Sequence, residues 1–284
     1  MKNKIKYALM RQIRNKGVRN IISRVIAKKI GTETFSSKST IFKNESENIK
    51  SELDENGFYI FNSNLDETVI NKIKSKSNSL KCHDPYVKGV NFSVSEIPEN
   101  THVANFYSHD LMEIKEIAEI ANDPAVLKIA ADFLGCTPTL SSVNMWYSTP
   151  GKKSAQEAQN FHRDVDDYKF VKLFIYLTDV CLQSGPHVYV KGSSRSEKAR
   201  KIRRYTDKEI VETFGEENIL YLAKPKGSMF MVDTYGFHKG LLPEGKERLL
   251  LQFEYSLNPI FAYNYQKVKA PIDNYNEYVC RLFY

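Results

Sequence analysis

His162 and Asp164 stand two residues apart, His238 follows 74 residues after Asp164, and Arg248 comes ten residues later. Two imidazoles and one carboxylate on one face of a metal, with open positions opposite, form the facial triad of non-haem Fe(II) oxygenation. In an extended strand residues i and i+2 point the same way. A short strand over Phe161-His162-Arg163-Asp164 would therefore turn both side chains inward. Seventy-four residues are chain enough for a sheet to close on itself and bring His238 alongside. A turn at Pro243-Glu244-Gly245 is expected to pair the His238 and Arg248 segments as a hairpin. That sets beside the metal a guanidinium fork suited to a carboxylate.

A lone His-x-Asp is weak evidence, and a buried, hydrogen-bonded His beside a surface Asp explains it as well. The whole constellation is more specific. His-x-Asp opens an apolar stretch over Lys169 to Val180, Ser184-Gly185-Pro186-His187 follows about twenty residues on, and Gly227-Ser228 precedes another apolar strand.

The runs Gln159 to Asp164, Lys172 to Val180 and Gly185 to Ser193 resemble the phytanoyl-CoA dioxygenase (PhyH) family. The resemblance covers about Asp123 to Ser256, is weaker from about Glu52, and leaves out the first forty residues. The family commonly follows Gly-Ser with His, where this chain has Ser194. The resemblance implies a mainly β fold with flanking helices, a double-stranded β-helix (jelly-roll, cupin-like) core. It implies Fe(II) on His162, Asp164 and His238, 2-oxoglutarate as cosubstrate with its distal carboxylate on Arg248, O2 as oxidant, and release of succinate and CO2. It implies a polar contact to 2-oxoglutarate from the strand Pro138 to Tyr147, carried here onto Asn144. The carboxylate ligand argues for hydroxylation or a related oxidation, since halogenating relatives lack it.

Period-two counting puts Lys172, Phe174 and Tyr176 on one face of their strand, so Lys172 and Tyr176 join Asn144 and Arg248 as expected cosubstrate-binding residues. A buried lysine needs an anionic partner, so Lys172 must meet a carboxylate if that face is right. His187 is read as structural, as are His83, His102 and His109, which have no partner spacing.

The elements that must position these groups fit one domain with additions. The chain has 284 residues, 42% of them apolar, enough for a full core. No apolar run spans a bilayer and no secretory signal is visible. Cys82, Cys136, Cys181 and Cys280 show no paired spacing, which suits a reduced cytoplasmic setting. The net charge of +7 is uneven: residues 1–30 carry ten Lys or Arg and no acid, leaving 31 basic against 34 acidic residues elsewhere. The basic balance is therefore not a nucleic-acid signal. Residues 1–32 read as a basic amphipathic helix, or two broken near Gly17. Contact with the inner face of an anionic membrane is one reading, and packing on its own domain or on the second subunit of a homodimer is the other.

Residues 33–48 read as a linker and 49–284 as the oxygenase domain. Helices are expected at Ile49 to Asn56, from Leu65-Asp66-Glu67 to about Ser77, at Leu111 to Ala121, and at Pro124 to Leu134 with Asp123 as N-cap and Gly135 as terminator. A charged insert at about 194–217 should form helices on either side of Thr206, whose spacing to Glu209 is a capping box. Its arginines suit an anionic substrate, either a small molecule or a carrier-linked, sugar-containing one. Two rivals stand beside the oxygenase reading: a cupin-like metalloenzyme without 2-oxoglutarate, and a non-catalytic binding module with a basic membrane-surface helix.

Overall fold

A computed structural model describes residues 2–43 and 45–284; Met1 of the expected N-terminal helix and Asn44 of the expected linker lie outside the described residues. The strands, in chain order, are β1 (Phe58–Asn64), β2 (Lys81–His83), β3 (Asn91–Ser93), β4 (Val103–Phe106), β5 (Thr139–Ser148), β6 (Phe170–Tyr176), β7 (His187–Val190), β8 (Ile219–Leu222), β9 (Ser228–Val232), β10 (His238–Gly240) and β11 (Arg248–Ser256). Eight form one antiparallel sheet in the order β1-β9-β6-β11-β5-β4-β2-β3, and three form a second, β10-β7-β8. The two sheets enclose a cavity between them, the jelly roll expected for the chain.

Every residue of β6, β9 and β11 is buried. These strands are covered on both faces, and their alternation decides what each face does. On β6, Val171, Leu173 and Ile175 join the larger core, with Leu249, Leu251, Phe253 and Tyr255 of β11. Phe174, Tyr176 and Leu250 belong to a second cluster on the other side. The register pairs Glu254 with Lys172, Gln252 with Phe174 and Leu250 with Tyr176. It also pairs Arg248 with Ser148, Leu250 with Trp146 and Gln252 with Asn144. The even-numbered side chains of β6, of β11 up to Glu254 and of β5 from Ser142 onward thus share the inner face.

Helices α1 (Lys2–Gln12), α2 (Lys16–Ile30), α3 (Ile49–Asn56), α4 (Glu67–Ser77), α5 (Ser108–Met112), α6 (Lys115–Ala121), α7 (Pro124–Leu134), α8 (Asp207–Phe214) and α9 (Glu277–Cys280) flank the sheets. In α7 the Asp123 carboxylate accepts from the Ala125 and Val126 amides, and Gly135 closes it at φ +82°. The single helix expected over Leu111 to Ala121 is two, α5 and α6. The insert forms a helix only after Thr206, capped by Thr206 and Glu209 as expected. Lys239 of β10 ties α8 down through both carboxylate oxygens of Asp207 at 2.7 Å.

Two further expectations need correction. His162 and Asp164 do not lie on a strand: His162 makes an isolated bridge with His238, and regular pairing starts only at Phe170. The segments of His238 and Arg248 do not form a hairpin. β10 pairs with β7, while β11 pairs with β5 and β6 in the other sheet, so residues 241–247 cross between sheets. The N-terminal helices break at residues 13–15, where Asn15 caps α2, close to the break expected near Gly17.

Both N-terminal helices pack on their own domain. Arg19, 1% exposed, is the most deeply buried of their described side chains. Its guanidinium donates to the carbonyls of Ile13 and Asp167 and lies 4.7 Å from the ring centroid of Tyr235. Tyr235 in turn donates its hydroxyl to the Arg14 carbonyl at 2.9 Å. A cation is buried here because carbonyls and a ring face replace water.

At the junction of α3 and β1, Gly57 adopts φ +83° and a Cβ there would collide with the Tyr189 hydroxyl. Tyr189 donates that hydroxyl to the Asp233 carbonyl at 3.0 Å and links β7 to the segment before β10. Gly57→Ala combines a strained backbone with this collision, so it should cost about 2 kcal/mol or more, read as a lower urea midpoint with unchanged m-value.

Candidate metal centre

His162 sits on the bridge to β10, with two backbone hydrogen bonds of 3.0 Å joining it to His238 in both directions. Asp164 follows, its amide donating to the Thr234 carbonyl at 2.9 Å. The paired segments bring the three side chains together. The His162 Nε2 lies 3.5 Å from one Asp164 carboxylate oxygen and the His238 Nε2 lies 3.4 Å from the other. Ligand atoms of the three residues all fall within 4.8 Å of one another.

The tautomers follow from the hydrogen bonds. His162 Nδ1 lies 2.9 Å from the Asn160 carbonyl, and His238 Nδ1 lies 3.0 Å from the Gly236 carbonyl. A carbonyl only accepts, so each Nδ1 carries a proton, and each Nε2 is the nitrogen turned toward Asp164 and left to a metal. Burial, with His238 alongside, pushes His162 down to about 4 against the pull of Asp164. The ring is therefore neutral at pH 7, as a ligand must be. With metal–ligand bonds of about 2.1 Å, neighbouring ligands on an octahedral ion stand roughly 3 Å apart. The donor set fits such an ion with small movements.

Arg163, between two of these residues, points the opposite way. It donates to the Tyr235 carbonyl at 2.7 Å and stacks 4.2 Å from the Phe237 ring centroid. It thereby fixes the segment that delivers His238. Alternation alone assigns it to the outer face.

Lys172 meets three carboxylates: Asp164 at 2.8 Å, Asp166 at 3.1 Å and Glu254 at 3.4 Å. Burial works against its charge, but the three acids outweigh it and hold the ammonium well above its ordinary value. Burial likewise works against the Asp164 anion, yet Lys172 and the two imidazoles keep that carboxyl well below its usual range. Glu254 goes the other way, raised far above it by burial. Asp166 and Glu254 were not among the expected site residues. For Glu254 a signal existed: it shares the even register of Arg248 in an otherwise apolar strand.

A cavity of about 290 Å³ opens from this cluster, lined by Lys172, Asn144, Gln252 and Arg248 with Phe174, Trp146 and Leu250 as apolar walls. Asn144 donates to Ser142 at 2.6 Å. Arg248 is 3% exposed; it donates to the Gly185 carbonyl and, at 3.0 Å, to the Ser148 hydroxyl. Gly185 is a glycine for this approach, since at φ +69° a Cβ would strike Pro243 and the Leu241 carbonyl. Tyr176 corrects the expectation. It shares the inner face of β6 but not the cavity lining, and its hydroxyl is spent on the Leu222 carbonyl and the His187 amide, each at 2.9 Å. His83, His102 and His109 stay outside the ligand cluster. A larger groove of about 700 Å³, between residues 37–50 and α7, shares none of these side chains.

No protein-family model and no curated protein sequence matches the chain. Solved structures do match. HygX from Streptomyces hygroscopicus, with nickel and 2-oxoglutarate bound, is 15% identical over 85% of this chain and 100% of its own, with TM-score 0.55. SnoK, a non-haem α-ketoglutarate-dependent carbocyclase of nogalamycin biosynthesis, is 14% identical over 77% and 86%, with TM-score 0.54. AviO1 from Streptomyces viridochromogenes Tue57 is 13% identical over 76% and 96%, with TM-score 0.50. At these identities the likeness establishes a shared fold.

The neutral His162 has a consequence for stability. Its unfolded value is about 6.5 and its folded value about 4, so as pH falls the unfolded chain takes up the proton first. In metal-free protein, stability should fall by about 3 kcal/mol between those two values, with no further loss from this group below them. His162→Asn should reduce the proton uptake on unfolding in that window by about one, measured from urea midpoints against pH.

Proposed function

We propose that the chain is an Fe(II)- and 2-oxoglutarate-dependent oxygenase of the PhyH type, hydroxylating a small or carrier-linked substrate. The observation that carries this reading is the convergence of two imidazole nitrogens and one carboxylate on a cavity that also holds a buried arginine. In this reading His162, Asp164 and His238 hold the metal, Arg248 grips the distal carboxylate of 2-oxoglutarate, and Asn144 contacts the cosubstrate. Lys172 acts through Asp164, keeping that ligand ionised, in place of the direct cosubstrate contact expected for it. When bound, Fe(II) with 2-oxoglutarate couples oxidation of a substrate C–H bond by O2 to decarboxylation of the cosubstrate. The chain's own residues supply position, charge and exclusion of water: Trp146, Phe174 and Leu250 wall the cavity, and the carbonyls of Asn160 and Gly236 hold the rings in register.

The substrate side is a second opening of about 450 Å³ that shares His162 and Asp164 and is bordered by Tyr7, Arg11, Arg203 and Arg204. Arg203 pairs with Glu209 and Arg204 with Glu157, while Arg11 makes no ion pair among the described residues. A polar, anionic or sugar-bearing molecule suits that mouth. HygX has also been solved with hygromycin B bound, and SnoN, 12% identical with TM-score 0.52, with nogalamycin RO. Both observations support a small-molecule substrate in place of the binding-module alternative.

Anaerobic protein should bind one Fe(II) and then 2-oxoglutarate, and should form succinate when a substrate is supplied. Arg248→Ala should raise the 2-oxoglutarate requirement at least tenfold while metal affinity stays within about threefold; equal losses in both would contradict the clamp. Turnover without 2-oxoglutarate would favour the cupin-like alternative.

We further propose that the N-terminal helices hold the enzyme on an anionic membrane surface, at the cytoplasmic face. No described helix is long and apolar enough to cross a bilayer. The exposed residues of α2 are Gly17, Val18, Ile21, Arg24, Val25, Lys28 and Lys29, apolar and cationic with no acid among them. Val18, Ile21 and Val25 repeat at helical spacing and are 44%, 62% and 66% exposed. Such a face suits anionic lipid and repels its own copy, which disfavours a homodimer through it. The protein should co-sediment with phosphatidylglycerol-containing vesicles and not with phosphatidylcholine alone, and Ile21→Glu with Val25→Glu should abolish this. Equal sedimentation of the variant, or a wild-type protein that stays in solution or self-associates instead, would overturn it.

A further inference from the structure

His187 begins β7 and turns its ring inward, into the cavity that also holds Arg248. The ring is held on three sides, 4.9 Å from Phe174, 5.6 Å from Phe230 and 5.5 Å from His238, the last nearly parallel at 19°. It is 4% exposed, and its Nε2 is buried with no hydrogen-bond partner. A buried polar atom left unpaired costs about 1–3 kcal/mol, and native interiors rarely tolerate it without a reason. The ring is not part of the ligand cluster, which consists of His162, Asp164 and His238.

Arg248 shows the same unspent capacity. Its two terminal nitrogens are engaged with Gly185 and Ser148, but its Nε is buried without a partner. Two residues that line one cavity thus each keep a buried, unpaired nitrogen, one of them on a permanent cation. A group that only accepts hydrogen bonds and carries negative charge satisfies both, and a carboxylate is such a group.

We infer that His187, through an Nε2–H, is a second positioning contact for the distal carboxylate of 2-oxoglutarate, beside Arg248. This rests on the oxygenase reading above and extends it to a residue whose sequence neighbours, Gly185-Pro186, marked only a turn. Phe174, Phe230 and His238 fix the ring plane, so the contact is made by a preorganised donor with little rotamer entropy to lose. His187 thereby favours an oxo-acid with a second carboxylate over one without.

The test is calorimetric titration of Ni(II)-loaded protein, with thermal melts to verify folding. His187→Leu should weaken 2-oxoglutarate roughly tenfold or more and leave Ni(II) affinity within about threefold. Binding of 2-oxobutyrate, which lacks the distal carboxylate, should not change, and His187→Gln should recover most of the 2-oxoglutarate affinity. Unchanged 2-oxoglutarate affinity in His187→Leu, an equal loss for 2-oxobutyrate, or an equal loss of Ni(II) would each overturn the assignment. Wild-type protein that binds Ni(II) but no 2-oxoglutarate would sink the oxygenase reading itself, and this contact with it; normal wild-type binding with an unaffected variant sinks this contact alone.

Discussion

One ammonium group holds the site in its working charge state. Lys172 lies almost wholly out of water, with Asp164, Asp166 and Glu254 all within 3.4 Å of its nitrogen. Without the cation, three acids packed together in a low-dielectric interior would take up protons. With it, Asp164 stays ionised beside the two imidazoles, while burial pushes the Glu254 carboxyl well above its usual range. The position of Lys172 on β6 is thus as consequential as the three candidate ligands themselves, because it holds the acid that faces the histidines in its anionic form.

The two sheets divide the remaining work. β6 and β11 are buried on both faces, so their alternation sends one set of side chains to the helix-covered core and the other to the cavity. Arg248, Leu250, Gln252 and Glu254 descend one inner face in register with β5 on one side and β6 on the other. The second sheet brings His187 and His238 from opposite the cavity. Loops complete the cluster: two backbone bonds tie His162 to His238 of β10, one ties Asp164 to Thr234 in the segment before it, and Arg163 clamps that segment from outside. Rigid strands carry the arginine and the lysine, whereas the ligand pair sits where small adjustments around an ion cost little.

Much of this was legible in the residues. The types and spacing of His162, Asp164, His238 and Arg248 foretold their meeting, and the odd lysine on an apolar strand correctly demanded acidic partners. The α7 boundaries followed from Asp123, Pro124 and Gly135 because capping is local chemistry. The failures share a cause, which is that a partner distant in sequence decides the outcome. His-x-Asp was read as a strand, but its hydrogen-bonding partner runs out after one bridge. Arg248 was assigned to a hairpin, but its neighbours in the sheet are β5 and β6. Tyr176 was given to the cavity, but the His187 amide and Leu222 carbonyl claim its hydroxyl. In α2 the apolar periodicity left open whether the Val and Ile stripe faces lipid or protein; Arg19, Ser23 and Ala27 are the buried side chains. No periodicity rule anticipates an arginine whose solvent is replaced by Tyr235, Tyr168 and two carbonyls.

His162, Asp164 and His238, from separate segments, are placed to reach one ion. Anomalous diffraction at the iron edge, from crystals grown anaerobically with Fe(II), measures this directly. The expected result is a single peak at about 2.0–2.3 Å from His162 Nε2, His238 Nε2 and an Asp164 carboxylate oxygen. Iron bound elsewhere, or no iron in this cluster at saturating concentration, would contradict it.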